Sequence, residues 1–417
     1  MDKVILPRPL GGKIAAIASK SQAHRLLICA ALADQATSLS CAELSKDIEA
    51  TAACLAALCA DISYHNASYH VTPREKAAVC GCDCGESGST LRFLLPVAAA
   101  LGVETTFVLH GRLPERPLSP LWEELEAHGC TLSRPTADTV RCAGRLTGGT
   151  YRMAGNVSSQ FISGLLFALP LTGDESNIML TSPLESADYV RMTLAALRTF
   201  GVTVEESEHG WHIPAGQRYR SCGSASVEGD WSNAAFWLTA GAISGEMTVT
   251  GLTPDSPQGD RRIASLLARF GAEVTWREAA VTVRQQKLRG IDIDARDIPD
   301  LVPPLALAAA CAEGTTRIYG AERLRIKESD RLQSVAGALN ALGAAVEILP
   351  DGLLIHGGTL TGGTVDSQND HRIAMLVAIA SCVCAKPVTL HGAEAVQKSY
   401  PRFWADFEKL QAKEAAQ

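Results

Sequence analysis

Aromatic side chains are scarce in this sequence: Phe, Trp and Tyr make up 5% of its 417 residues. A large aromatic core is therefore not expected. Ala, Leu and Gly dominate the apolar runs and suit closely packed helices and sheets. A basic excess is also lacking. Lys and Arg number 38 against 45 Asp and Glu, for a net charge of −7. General nucleic-acid binding needs a cationic footprint that replaces released counterions, so that class is set aside. Every apolar run is broken by Pro or charge before it reaches the length of a membrane span. The opening Met1-Asp2-Lys3 lacks the basic-then-apolar layout of a secretory leader. The 13 cysteines are odd in number, and Cys29, Cys54, Cys59 and Cys311 fall in apolar helical stretches. They read as buried thiols in a reducing compartment, which points to a cytoplasmic protein.

What is present is ordinary for a globular chain: 47% hydrophobic and 20% charged residues. The length exceeds one core and predicts two domains. The main organising feature is an internal repeat. A polar turn leads into an Ala-rich apolar helix near Lys20, Gly88, Ser158, Asp230, Asp300 and Asp370, at a spacing of roughly 70 residues, long enough for a multi-element α/β unit. Short β-branched runs follow each helix: residues 37–40, 105–109, 177–180, 247–250, 315–318 and 388–390. A second, amphipathic helix comes next, with Gly201, Gly271 and Gly343 just past helix ends, where left-handed φ is cheap for glycine. Two domains of three units each is the economical packing, and an uninterrupted single-sheet α/β protein is the alternative. The tail, residues 413–417, is expected to fray.

Unusual polar residues collect at the helix starts, where free N–H groups and a partial positive charge favour anions. Lys20, Ser21 and Arg25 surround one start, with Ser21 and Arg25 on one face; a solvated helix entry would look similar. Gly85-Glu86-Ser87-Gly88-Ser89-Thr90 lets backbone approach a phosphate closely, yet it also fits a tight strand-to-helix turn and lacks a Walker ending. Ser158, Ser159 and Gln160 cluster hydroxyl and amide groups, although Ser158 also suits a plain N-cap. In Lys327-Glu328-Ser329-Asp330-Arg331, Lys327 and Arg331 are expected one helical turn apart on one face, as a ligand-binding pair or a surface charge run. Asp370-His371-Arg372 opens an apolar helix, and Lys398 precedes a terminal one.

These strings, with Glu115-Arg116-Pro117 and Ile298-Pro299-Asp300, occur in an order that resembles the EPSP synthases, an enolpyruvyl transferase family, across essentially the whole chain. The resemblance implies an α/β (α+β) fold of two similar domains, each of three βαβαββ units, an inside-out α/β barrel joined by two crossover strands. Domain 1 would comprise residues 1–18 and 229–417, domain 2 residues 19–228, with the active site in the interdomain cleft. It implies that Lys20, Ser21, Arg25, Ser158, Ser159, Gln160, Ser186, Tyr189, Asp300 and Lys327 hold shikimate 3-phosphate. Lys20, Gly88, Arg116, Gln160, Arg331, His371, Arg372 and Lys398 would hold phosphoenolpyruvate. Asp300, Glu328, Lys20 and Lys398 would be catalytic, with Asp300 handling the acceptor hydroxyl proton and Glu328 and Lys20 exchanging protons with the enol. It further implies a monomer with no metal or organic cofactor, and sensitivity to glyphosate through Gly88.

Two departures stand out: Glu86 where many relatives carry Asn, and Arg323 where some carry an Asn that contacts the shikimate. The related transferase acting on UDP-N-acetylglucosamine carries a reactive loop cysteine, and the loop Gly111–Pro117 has none. Cys80, Cys82 and Cys84 raise metal binding, but alternate spacing fits a strand of buried thiols more plainly than a structural zinc site. A non-catalytic repeat scaffold would leave Lys20, Glu328, Arg331, His371 and Lys398 unexplained.

Overall fold

The protein is described here from a computed structural model covering residues 1–414. From residue 415 on, the tail lies outside the described residues, and the last helix reaches Glu414. The chain divides into two compact units, Ala18–Val227 and Met1–Ile17 with Glu228–Gln417.

The unit Ala18–Val227 contains helices α1 (Lys20–Ala31), α2 (Lys46–Leu58), α3 (Gly88–Leu101), α4 (Leu121–Ala127), α5 (Ser159–Ala168) and α6 (Ala187–Thr199). Three four-stranded sheets accompany them. In each sheet a parallel strand pair brackets the first helix of the repeat, and two antiparallel strands follow the second. This is a βαβαββ unit. The first repeat draws its opening strand, Ser224–Ser226, from the far end of the unit, where it pairs in parallel with Thr37–Ser40 in the register Ser224↔Ser38.

The second unit repeats the plan with α7 (Trp231–Ser244), α8 (Arg262–Phe270), α9 (Val302–Ala310), α10 (Arg331–Ala341), α11 (His371–Ala380) and α12 (Phe403–Glu414). Here the opening strand of the first repeat is Gly12–Ala15, parallel to Glu246–Thr250 with Lys13↔Thr248. The last sheet has three strands, with Lys3–Ile5 antiparallel to Val388–His391.

Burial explains why the apolar helices show so little amphipathicity. In α9 and α11 every residue is buried, and in α7 all but Ser244. Such helices need apolar residues all round. By contrast α8 buries only Ile263, Ala264, Leu266, Leu267 and Phe270. The strands alternate, as in Glu246–Thr250, where Met247 and Val249 are buried. Within each unit the first helices are therefore interior, and the sheets turn one face to solvent, the inside-out arrangement.

Each unit has its own core. The expectation of a core without large rings needs one correction. Trp237 stacks on Phe403 at 5.0 Å, with Tyr400, Trp404 and Phe407 around Phe403. These five aromatics meet where α12 docks on α7 and supply a large apolar area per residue there.

One close approach sets up chemistry. Pro96 lies inside α3 and lacks the N–H that would bond the Arg92 carbonyl. Gly164 of α5 comes against that carbonyl, and a Cβ there would lie 2.9 Å from the Pro96 ring. The starts of α3 and α5 are thereby held side by side. Among the described residues, no helix is long and apolar enough to cross a membrane.

Candidate active site

In the unit Ala18–Val227, the first helices of the three repeats present their starts together with their polar residues. Ser19 caps α1, Ser87 caps α3 and Ser158 caps α5, each accepting a backbone N–H. Gln160 accepts from Arg92 Nη1 at 2.8 Å and donates to Ser89 Oγ at 2.8 Å, linking the starts of α3 and α5. Arg116 is buried directly beside Gly88: a Cβ on Gly88 would meet its Nη1 at 2.8 Å. Ser159 is buried at the first turn of α5. Ser186 is buried at the start of α6 with φ 55°, a left-handed conformation uncommon for serine and characteristic of functional turns.

Arg25 is more committed than expected. Its Nε donates to Thr193 Oγ1 at 2.9 Å, its Nη1 to the Ser21 carbonyl at 2.6 Å and its Nη2 to the Tyr189 carbonyl at 2.8 Å. It ties α1 to α6 and fixes the backbone at Ser21 and Tyr189. Burial pushes its guanidinium down to about 10, still charged at neutral pH.

Two features here escaped the sequence reading. Lys20 Nζ pairs with Asp47 Oδ2 at 2.7 Å. Asp47 sits in the first turn of α2, where an acid is explained by the helix dipole alone, so nothing marked it as a partner. Behind it runs a buried polar chain: His24 Nδ1 to Thr51 Oγ1, Thr51 to Thr90, and Thr90 to Ser87, each step 2.7 Å. Burial first, then Lys20 and Arg25, holds His24 well below its ordinary value, so it is a neutral ring.

The second unit gathers the other half of the candidate residues around Arg331, which is 1% exposed. Arg331 Nη1 reaches Asp300 Oδ1 at 2.8 Å, Nη2 reaches Glu328 Oε2 at 2.6 Å, and Nε reaches Asp370 Oδ2 at 2.8 Å. Arg372 Nη2 meets the other Asp300 oxygen at 3.1 Å. Burial works to raise the Asp300 carboxyl, but Arg372, Lys327 and Arg331 outweigh it and hold it far below the usual carboxylate range. Asp370 is likewise held ionised by Arg331 and His371 against its burial, and it caps α11 by accepting from Arg372 N at 2.9 Å.

Lys327 differs from expectation. It ends a short 3-10 turn in extended conformation and α10 begins only at Arg331, so the two do not share a helix face. The Ser329-Asp330 turn intervenes because Asp330 caps α10, which places Lys327 outside the helix. Burial lowers Lys327 to about 8, with Asp300 and Glu328 working against that. Lys398 donates to the Asn369 carbonyl at 2.5 Å. That carbonyl is presented by Gln368 and Asn369, both with φ above 50°. His371 is buried. Arg323 donates to the Arg296 carbonyl at 2.7 Å, and the Glu86 side chain lies against Gly111. Cys82 and Cys84 are buried free thiols. No group of three or more His, Cys, Asp or Glu placed to hold a metal is found among the described residues.

The two sets differ electrostatically. Lys20, Arg25, Arg92 and Arg116 stand among several hydroxyls, and Lys20 pairs with Asp47, a composition for binding anions. Arg331, Arg372, Lys327 and Lys398 are interleaved with Asp300, Glu328 and Asp370, a composition that binds anions and also moves protons.

Comparison with known proteins gives a consistent picture. A family model described as EPSP synthase (3-phosphoshikimate 1-carboxyvinyltransferase) matches residues 5–407. Among curated relatives, the 3-phosphoshikimate 1-carboxyvinyltransferase of Clostridium kluyveri is 43% identical over 97% of this chain and 96% of its own. The enzyme of the same name from Clostridium acetobutylicum is 41% identical with the same coverage. Among solved structures, EPSP synthase from Acinetobacter baumannii superposes with a TM-score of 0.81 at 25% identity, over 99% of this chain and 98% of that one. The enolpyruvyl transferase NikO from Streptomyces tendae shares the fold, with a TM-score of 0.77 at 19% identity over 98% and 97% of the two chains.

Proposed function

The chain belongs to the EPSP synthase family, and from that premise we propose that it transfers the enolpyruvyl group of phosphoenolpyruvate to the 5-hydroxyl of shikimate 3-phosphate, releasing phosphate. The observation that carries the chemistry is Asp300 clamped between Arg331 at 2.8 Å and Arg372 at 3.1 Å, with Glu328 on the same Arg331.

Both substrates carry phosphate and carboxylate, so their mutual repulsion must be cancelled before they react. In this reading Ser21, Arg25, Ser158, Ser159, Gln160, Ser186, Tyr189 and Lys327 take shikimate 3-phosphate. Arg116 beside Gly88, with Arg331, His371, Arg372 and Lys398, takes phosphoenolpyruvate. The planar guanidinium forks match carboxylate and phosphate oxygens pairwise. Lys20 and Gln160 serve both ligands.

Asp300 as seen is too well stabilised to be a strong base. Incoming anions would engage Arg331 and Arg372, weakening the clamp and raising the proton affinity of Asp300 as the acceptor hydroxyl arrives. The hydroxyl oxygen then bonds the enol carbon while the methylene carbon gains a proton, giving a tetrahedral adduct. Loss of that proton and of phosphate restores the double bond. Glu328 and Lys20 are assigned to these transfers, with Lys398 at the leaving phosphate. Exclusion of water strengthens every charge contact involved.

We take a monomer as the working unit. The 13 free cysteines support a reducing, cytoplasmic setting. The test is phosphate release by purified protein given phosphoenolpyruvate with shikimate 3-phosphate, set against UDP-N-acetylglucosamine as acceptor. Release with the sugar nucleotide alone would overturn the assignment.

A further inference from the structure

The short turn Gly259–Arg261 carries a carboxyl that no step above uses. Asp260 is 2% exposed. Its Oδ2 accepts from the Ser232 hydroxyl in the first turn of α7. Its Oδ1 has no hydrogen-bond partner among the described residues. A buried carboxylate oxygen is rarely left bare, because ionisation in such a place is costly without a donor. The turn bearing Asp260, the turn Pro299–Leu301 bearing Asp300, and α11 bearing Arg372 all pack on α7.

Among nearby charges, Asp300 and Asp230 favour the neutral form of Asp260 and Arg372 favours the anion. The cations of its own segment are turned elsewhere: Arg261 donates to the Pro254 carbonyl at 2.9 Å, and Arg262 meets Asp297 at 3.5 Å. Gln258 is engaged by Trp231 N and Gly229 O, while Ser256 donates to Glu228. Arg372 contacts Asp300 at 3.1 Å and also acts electrostatically on Asp260.

We infer that Asp260 is a positioning residue for Arg372 and Asp300. Neutral, it leaves Arg372 to Asp300 and to an incoming anion. Ionised, it draws on the same guanidinium, the one assigned to phosphoenolpyruvate. Burial first, and then Asp300, push the Asp260 carboxyl up to about 7, against the lowering effects of Arg372 and the Ser232 hydroxyl. A raised value means the neutral form prevails below about pH 7 and the anion above it. The inference rests on the proposed reaction.

The experiment compares the KM for phosphoenolpyruvate of the wild type and Asp260→Asn across pH. Taking the ratio of the two KM values cancels the titration of the substrates' own phosphates. The values should converge at about pH 6, and the wild-type KM should exceed that of the variant by about tenfold at about pH 8.5, with the difference in KM rather than kcat. Ser232→Ala removes a donor that favours the anion, so its rise in KM should move to higher pH. Thermal melts confirm that each variant is folded. A ratio that stays constant with pH, in folded variants, overturns the inference. Phosphate release by the wild type is read separately, so failure of the reaction is distinguishable from failure of the role given to Asp260.

Discussion

Gly88 leaves the space that the Arg116 guanidinium occupies: a Cβ at Gly88 would stand 2.8 Å from Nη1 and 3.1 Å from Cζ. A real side chain there must push the arginine aside. Arg116 is held in a buried position, so the displacement falls on the ligand contact assigned to it. Gly88→Ala should raise the KM for phosphoenolpyruvate about tenfold, equivalent to about 1.4 kcal/mol, with a much smaller change in kcat. In the wild type, glyphosate should inhibit competitively with phosphoenolpyruvate, and in Gly88→Ala its inhibition constant should rise as well. Steady-state kinetics with varied phosphoenolpyruvate give both numbers.

Asp370 and Arg331 form a buried ion pair at 2.8 Å, with side chains 0% and 1% exposed. Removing one partner of such a pair leaves the other charged and without full compensation. Asp370→Ala should cost about 3–5 kcal/mol of unfolding free energy. The loss of the α11 cap contributes to that figure. Urea denaturation measures it, and a cost under about 1 kcal/mol would show the pair to be dispensable.

Glu328 accepts from Arg331 at 2.6 Å, a contact that an amide oxygen can keep. Glu328→Gln should therefore preserve substrate binding while removing the proton transfer. The expected loss in kcat is about 10²–10⁴-fold with a nearly unchanged KM. Turnover at the wild-type rate would remove Glu328 from the mechanism.

His24 is buried and neutral, with its ordinary value near 6.5 pushed well down. The unfolded chain binds a proton at this position below about pH 6.5 while the folded chain does not, so the unfolded state gains there. The contribution of His24 is complete above about pH 6.5 and is lost as pH falls below it. The Tm of the wild type should fall more steeply between about pH 7 and pH 5 than that of His24→Asn, as read by circular dichroism. Parallel curves would place the acid sensitivity elsewhere.

The repeat and most element positions were legible because the physics is local. The six helix starts anticipated near Lys20, Gly88, Ser158, Asp230, Asp300 and Asp370 correspond to α1, α3, α5, α7, α9 and α11. Gly201, Gly271 and Gly343 take the positive φ expected past helix ends. The polar strings at the helix starts, taken together in their order along the chain, resembled the family to which the comparisons assign it. Lys327 was misplaced because a cap at Asp330 is stronger local chemistry than the charge spacing that suggested one face.

Which residues carry charge near helix starts, and how often the unit recurs, is written in the order of amino acids, since capping, periodicity and turn preference act over a few residues. Which charges oppose one another is not. Asp47 on Lys20 joins the two helices of one repeat and Asp370 on Arg331 joins two repeats, across 27 and 39 residues. Only packing of the interior helices brings them within range, because Coulomb attraction depends on distance in space and carries no trace in the spacing along the chain.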